Sequence, residues 1–181
     1  MMDMASYTQE IRVDVEVQPP GVVGVGRRLI PPVVARINDP QLIDDYLNGA
    51  KDVFATLMLT LGNGQDQTGI LNGNYNVRGQ PITIHSDGGG SGGGSSSSSQ
   101  GPQKFIYFIF TGLSIPVAGT YTFTVCVNTL SFTQGFVLTV GGKTTRQFRV
   151  VNEAVAPARP GRSEARALRM LEKNGLYDPS A

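Results

Sequence analysis

The chain has 181 residues and a mass of 19.3 kDa, the size of one ordinary domain. Fifteen Lys and Arg residues against fourteen Asp and Glu residues give a net charge of +1, which excludes a protein that is basic all over. Its single cysteine, Cys126, excludes an intrachain disulfide, and no apolar run is long enough for a membrane span. The first ten residues lack the basic and apolar regions of a signal peptide, so we expect an intracellular soluble protein.

Charge is distributed unevenly along the chain. Residues 1–26 hold four acidic and one basic side chain, and residues 39–66 hold five acidic and one basic, net charges of −3 and −4. Residues 143–173 hold eight basic and three acidic side chains, a net charge of +5. Such a chain can present a basic surface to an acidic partner while staying neutral overall, although a solvated surface with chance asymmetry explains the same numbers.

The first half of the chain has the pattern of β-strands. Apolar and charged residues alternate over residues 11–17, which predicts a strand with one buried face. Residues 18–32 have prolines at both ends and are predicted to form a long ordered loop, followed by a short strand over 33–37. Residues 53–61 are nearly all apolar and predict a strand buried on both faces.

The second half continues this pattern around a low-complexity insertion. Residues 87–103 are a Gly/Ser tract that cannot bury enough apolar surface to order, so we expect a flexible loop. Residues 105–113 predict an aromatic core strand and residues 121–127 a one-sided strand. Residues 136–151 predict a hairpin that turns at Gly141-Gly142. About seven strands separated by turns indicate an all-β protein, a β-sandwich.

One helix is predicted, over residues 163–174. Ser163 suits the N-cap and Gly175 the left-handed residue after the helix. Three-residue spacing of apolar side chains gives a narrow stripe, so the helix is expected to dock on the sandwich with its basic face outward. The stripe comprises Ala165, Leu168 and Leu171, and the basic residues are Arg162, Arg166, Arg169 and Lys173.

No arrangement of residues predicts catalysis. His85 is the only histidine and lies beside the Gly/Ser tract, where a general base is poorly held, so we interpret it as a surface residue. One histidine and one cysteine cannot build the usual zinc site, and Cys126 is expected to be a partly covered thiol rather than a nucleophile. Asp44 and Asp45 lack EF-hand spacing, and Gly24 and Gly26 lack the third glycine of a dinucleotide site. The sequence therefore predicts a binding module, not an enzyme, without a metal or cofactor.

The loop after the first strand carries a family resemblance. Residues 18–37 read QPPGVVGVGRRLIPPVVARI, which is a strand exit at Gln-Pro, a glycine-containing loop, an Arg-Arg pair and a proline-rich lead into the next strand. This stretch resembles the velvet domain of fungal regulatory proteins. Residues 108–115 and 119–123 are similar to the family's aromatic strand and the alternating strand after it. Residues 148–151 and 158–161 match its last strand and its basic Pro-Gly exit. The resemblance covers about residues 8–176, so the whole chain, 1–181, is expected to be one velvet-like domain.

The resemblance implies a fold and a function. Velvet domains are immunoglobulin-like β-sandwiches similar to the Rel-homology, NF-κB-like, DNA-binding domain. They form homodimers or heterodimers with other velvet-domain proteins, act in the nucleus, and control fungal development, sporulation and secondary metabolism. DNA and a second velvet-domain protein are therefore the expected partners, with no membrane and no small-molecule substrate. The function expected is a velvet-type transcriptional regulator.

Loops at one end of the sandwich hold DNA in this fold, and that places the candidate DNA-binding residues. Arg27 and Arg28 come first, because prolines limit the motion of their loop and arginine binds phosphate or guanine in a bidentate manner. The alternative for this pair is salt bridging to acidic residues. The alternative function is a protein-interaction module that heterodimerises with another velvet protein and leaves DNA contact to it. The other candidates are Arg159 and Arg162 before the helix, then Lys143 and Arg146 near Gly141-Gly142.

Overall fold

A computed structural model describes residues 10–85 and 101–180 as two β-sheets and two α-helices. The first helix, α1, spans Pro40–Leu47, the second, α2, spans Arg162–Lys173, and a 3-10 turn lies at Thr68–Ile70. The strands are β1 (Asp14–Val17), β2 (Val22–Gly24), β3 (Val33–Ile37), β4 (Lys51–Leu61), β5 (Asn76–Arg78), β6 (Gln80–Ile84), β7 (Gln103–Phe110), β8 (Gly119–Ser131), β9 (Val137–Thr144) and β10 (Phe148–Val151).

The strands form two sheets that pack face to face. The first sheet has the order β1-β3-β7-β6 and is antiparallel throughout. The second has the order β2-β10-β8-β4-β5, with β9 pairing with β8, and only its β2–β10 pair is parallel. Alternate side chains of both sheets meet in one apolar core that includes Phe108, Phe110, Leu57 and Phe123. The prediction of an all-β sandwich is confirmed at this level.

Strand directions define two ends of the molecule. We call the end where β1, β7 and β10 finish the upper end, and the end where β3 finishes and β4 begins the lower end. The loop over residues 18–32 lies at the upper end, because β1 leads into it and β3 leaves it. Helix α1 lies at the lower end, between β3 and β4.

Helix α2 covers the outer face of the first sheet. Leu168 and Leu171 are buried there with Tyr107 and Phe105, whose neighbours along β7 face the central core instead. The apolar run of β7 is buried except for the half-buried Ile109, because the sandwich covers one face and the helix the other. The predicted docking of this helix is confirmed, but its N-cap is Gly161 rather than Ser163, and the buried alanine is Ala167, whereas the predicted Ala165 is half-buried. In the part of the chain that the structure describes, no helix is long and apolar enough to cross a membrane.

Helix α1 was not predicted, so the expectation of a single helix is wrong. The side chain of Asp39 caps this helix by accepting a 3.0 Å hydrogen bond from the backbone N–H of Leu42, and Pro40 begins its first turn. Leu42 and Ile43 are buried and close the lower end of the core. The helix ends at Leu47, and the backbone N–H of its C-cap residue Asn48 donates to the carbonyl of Asp44 over 3.0 Å.

The predicted hairpin at Gly141-Gly142 is wrong. Both glycines lie inside β9, opposite Val127 and Cys126 of β8, and neither has a positive φ. Strand β10 pairs farther up the same edge of β8, so β9 and β10 follow one another instead of pairing. Gly141 is needed for space, because a Cβ there would come within 2.6 Å of the carbonyl oxygen of Ile11.

Three smaller expectations also change. Strand β4 alternates between buried and half-exposed residues, with Met58 38% exposed, so it is not buried on both faces. The loop over residues 18–32 is ordered as expected, but it contains β2. The Gly/Ser tract lies outside the described residues up to Gln100, while Gln103, at its end, begins β7.

The packing at Gly141 gives a paired stability prediction. We expect Gly141→Ala to lower the free energy of unfolding by about 1 to 3 kcal/mol, because its Cβ meets backbone atoms that cannot rotate away. Gly142→Ala places its Cβ 3.3 Å from the carbonyl oxygen of Val125, and we expect a change of at most about 1 kcal/mol. Urea unfolding of the two variants measures the difference, and equal effects would contradict this placement.

Candidate nucleic-acid interface

A tight turn presents the Arg27–Arg28 pair at the upper end. The N–H of Arg27 donates to the carbonyl of Gly24 over 3.1 Å, which closes a β-turn. Gly26 occupies the third position with φ +70°, a conformation that favours glycine. The Arg27 stem lies against Gly24, where an added Cβ would approach its Cγ to 3.0 Å. The turn therefore fixes the backbone and the first part of the Arg27 side chain.

Backbone hydrogen bonds join this turn to two neighbouring segments. The N–H of Val25 donates to Val151 at the end of β10, and that of Gly26 donates to Ile115, each over 2.9 Å. The N–H of Leu29 donates to Leu113 over 2.8 Å, and the Leu29 side chain is buried. Because the segment is held on both sides of the arginine pair, little backbone entropy remains to be lost on binding.

Two grooves border the arginine pair. A groove of about 630 Å³ separates Arg27 and Arg28 from residues 152–158, which lead directly to Arg159. A second groove of about 580 Å³ lies between Arg28 and residues 175–179, the segment after α2. The structure thus places Arg27, Arg28 and the chain leading to Arg159 on one surface at the upper end.

Gln18 connects two of the other candidates. Its side-chain Oε1 accepts from the backbone N–H of Arg146 over 2.9 Å, and its own N–H donates to Glu164 Oε2 over 2.8 Å. The other oxygen of Glu164 accepts from the N–H of Gly161 over 3.2 Å, at the start of α2. Arg146 and the N-terminal turn of α2, which begins at Arg162, therefore share one neighbourhood. No local pattern in the sequence predicts this link, because Arg146 and Glu164 lie 128 and 146 positions from Gln18.

Lys143 and Arg146 are placed differently from the expectation that both flank a turn. Lys143 lies within β9 opposite Val125, and Arg146 lies in the link between β9 and β10. All six candidate cations are exposed.

Five of the six candidate cations are absent from the ion pairs found in the described ranges 10–85 and 101–180. Arg27, Lys143, Arg146, Arg159 and Arg162 take part in none of them. The pairs are Arg12–Asp14, Arg36–Glu16, Lys51–Asp45 and Arg78–Asp52. The last two lie at the lower end, so Asp45 of α1 and Asp52 of β4 are paired with cations of that same end.

Arg36 has a structural role in the first sheet. Its guanidinium lies 4.2 Å from the ring centre of Phe105, and its Nη1 donates to the Tyr107 hydroxyl over 3.0 Å. Its Nε lies 2.9 Å from Glu16 Oε1 without the alignment of a hydrogen bond. Burial raises the pKa of Tyr107, and the bond from Arg36 opposes that rise. This cation belongs to the packing under α2 and is not available to a ligand.

The residues considered for catalysis are not assembled into a site. His85 is exposed at the end of β6. Cys126 is half-buried, with its Sγ 3.7 Å from the sulfur of Met58, and desolvation raises the pKa of its thiol. Over the described residues there is no group of three or more His, Cys, Asp or Glu side chains that could hold a metal ion.

Comparison with known proteins does not identify a family. No protein-family model matches the chain, and no curated protein matches it. Among solved structures it is similar to the crystal structure of AggA, the major subunit of aggregative adherence fimbriae type I from Escherichia coli. The two are 14% identical over 78% of this chain and 95% of that chain, with a TM-score of 0.30. A similarity this low carries no statement about function.

The environment of Cys126 predicts slow thiol chemistry. Because desolvation raises its pKa, less thiolate is present near neutral pH, and the thiolate is the reactive form. We expect the native protein to react with an aromatic disulfide reagent more slowly than the same protein unfolded in urea at the same pH. Equal rates in the two states would contradict a covered thiol.

Proposed function

We propose that this protein is a DNA-binding transcriptional regulator of the velvet type, which acts in the nucleus through a β-sandwich of the Rel-homology kind. Its DNA contacts come from the upper end, with Arg27 and Arg28 at the base edges. Arg159, Arg162 and Arg146 contribute phosphate contacts beside them, and Lys143 contributes one from β9, below the upper end. The observation that carries the proposal is the arginine pair on a turn joined by backbone hydrogen bonds to β10 and to the segment before β8.

Two features support DNA as the ligand of this end. Arg27 is exposed on a fixed backbone, which suits the bidentate contact that arginine makes with guanine. The acidic α1 and its neighbours lie at the opposite end, so the repulsion that they exert on a bound duplex is small and screened by salt. The charge separation therefore orients the molecule with its basic end toward DNA.

Selection from random duplexes followed by titration tests the proposal. We expect the full chain to select a preferred sequence and to bind it more weakly as salt rises, because bound phosphates release counterions. In the double variant Arg27→Ala with Arg28→Ala, we expect the preference for that sequence to fall by about tenfold or more, as two bidentate contacts are lost. Fluorescence anisotropy with specific and scrambled duplexes measures it.

A matched double variant removes the same charge from the lower end. Lys51→Ala with Lys104→Ala changes two cations at the starts of β4 and β7, and we expect the sequence preference to be unchanged. Unaltered preference in the arginine double variant would contradict the assignment of the site. Absence of binding to every duplex, with or without a second velvet-domain protein, would contradict the function.

A second candidate function is dimerisation through the lower end. The turn between β8 and β9 exposes Phe132 and Phe136, 64% and 48% of their surface, and β9 continues with Val137 and Leu138 exposed. An exposed apolar edge strand is a template for pairing with another chain. This observation favours an interaction module for a second copy or another velvet-domain protein. It uses a different end from the arginine pair, so both functions can coexist.

The dimer surface has its own test. We expect Phe132→Ser to weaken self-association in sedimentation equilibrium, since a large exposed aromatic side chain is lost from the contact. Val117→Ser, which changes a 51% exposed side chain at the upper end, serves as the control and should leave self-association as in the wild type. A wild-type chain that remains monomeric at every concentration would exclude self-pairing through this edge.

A further inference from the structure

The outward face of α2 carries a straight line of four cations. Arg162, Arg166, Arg169 and Lys173 follow one another at spacings of four, three and four residues. At about 100° per residue they fall within an arc of about 60°, and at 1.5 Å per residue they span roughly 16 Å. All four are exposed.

This line points away from the protein. The buried residues of the helix, Ala167, Leu168 and Leu171, lie about 180° around the axis from the four cations. They fix the helix on the first sheet. Glu164 is turned toward Gln18 and Gly161, whose N–H groups it accepts, so it does not neutralise the line.

Both ends of the helix are fixed as well. At the N-terminus, the N3 residue Glu164 accepts from the backbone N–H of the N-cap Gly161 over 3.2 Å, which is the half of a capping box that a glycine N-cap allows. At the C-terminus, Gly175 has φ +70° and donates to Glu172, while Leu176 donates to Leu171, the pair of bonds of a Schellman motif. The four side chains therefore extend from a rigid rod.

The four aligned cations lower the stability of the helix that carries them. Like charges three and four residues apart repel one another and destabilise a helix. Within residues 10–85 and 101–180, none of the four cations forms an ion pair. A linear ligand with closely repeated negative charge would relieve this repulsion.

We propose that α2 lies along the phosphate backbone of a DNA duplex and contacts successive phosphates with Arg166, Arg169 and Lys173, continuing from Arg162. This inference rests on the proposed DNA-binding function and adds a sequence-independent contact to it. The phosphates of a duplex form a line of closely spaced negative charges, which the line of cations on α2 matches. The helix extends the upper-end surface, because Gln18 links its first turn to Arg146.

The chemistry of this face favours a duplex over other polyanions. An amphipathic helix that enters a membrane surface needs a free apolar face, and the apolar face of α2 is buried on the sheet. Single-stranded nucleic acid is held by exposed aromatic side chains, and residues 162–173 contain none.

The test compares the salt dependence of DNA binding among three forms of the full chain. The helix variant carries Arg166→Gln, Arg169→Gln and Lys173→Gln, and glutamine keeps the helix propensity. The control carries Lys51→Gln, Arg78→Gln and Lys104→Gln, the same change in charge at β4, β5 and β7. Thermal unfolding followed by circular dichroism checks that all three forms fold.

We expect the helix variant to lose slope in a plot of log affinity against log salt by about 2 to 3, because three phosphate contacts disappear. Between about 50 and 200 mM salt, the wild-type affinity should fall roughly fortyfold further than that of the variant. Its preference for the selected duplex over a scrambled one should persist. The control should keep the wild-type slope.

Three outcomes would overturn the inference. A helix variant with the wild-type slope contradicts phosphate contact by α2, while the proposed function stands if the Arg27→Ala, Arg28→Ala variant still loses its preference. An equal loss of slope in the control would show that the change comes from the net charge of the protein and not from phosphate contacts of α2. Wild-type binding to phosphatidylserine vesicles but to no duplex would assign the rod to a lipid surface and would also remove the proposed function.

Discussion

Burial of the first sheet on both faces is the constraint on which the arrangement of this protein depends. Strand β7 has apolar side chains on each face, and the sandwich can cover only one of them. Helix α2 must therefore lie on the other face, where Leu168 and Leu171 complete a second apolar cluster. Once its apolar side is used in this way, its charged side can only face solvent. The position of the basic surface is thus a consequence of how an aromatic strand is kept from water.

A second constraint acts at the upper end. Strand β2 is only three residues long, but its parallel pairing with β10 and the bonds that follow it bring the Arg27 turn against the end of the sheet. Short edge strands of this kind add little stability themselves. Here the strand determines where the loop that carries Arg27 leaves the sandwich, and the proposed DNA contact depends on that position. Pro19 and Pro31 are buried, and they shorten the segment that is free to move on either side of the Arg27 turn.

The sequence predicted the elements whose periodicity is local. The alternation in β8 and the apolar stripe of α2 indicated both elements, because each has one buried face. Periodicity gave wrong predictions where the packing of a segment depends on residues that are distant in the sequence. Gly141-Gly142 reads as a turn, and only the approach of Ile11 shows that a strand needs a residue without a Cβ there. Helix α1 was missed although Asp39-Pro40 is a helix-start signal, since two buried side chains give too weak a period. For the site, the arginine pair could be predicted from the sequence. The link through Gln18 could not, because its two hydrogen-bond partners lie 128 and 146 positions away from it in the chain.

The surfaces of the two ends differ in a way that separates their roles. The lower end combines exposed aromatic side chains with acidic residues already paired to Lys51 and Arg78. Interfaces between proteins are enriched in aromatic side chains at their centre, and they keep polar and charged groups at the rim. At the upper end and along α2, exposed cations accumulate at a cost to the helix that packing must offset. A fold gains nothing from such repulsion by itself, so the placement of these cations supports the proposal of a ligand that neutralises them. A partner bound at the lower end would leave that surface open.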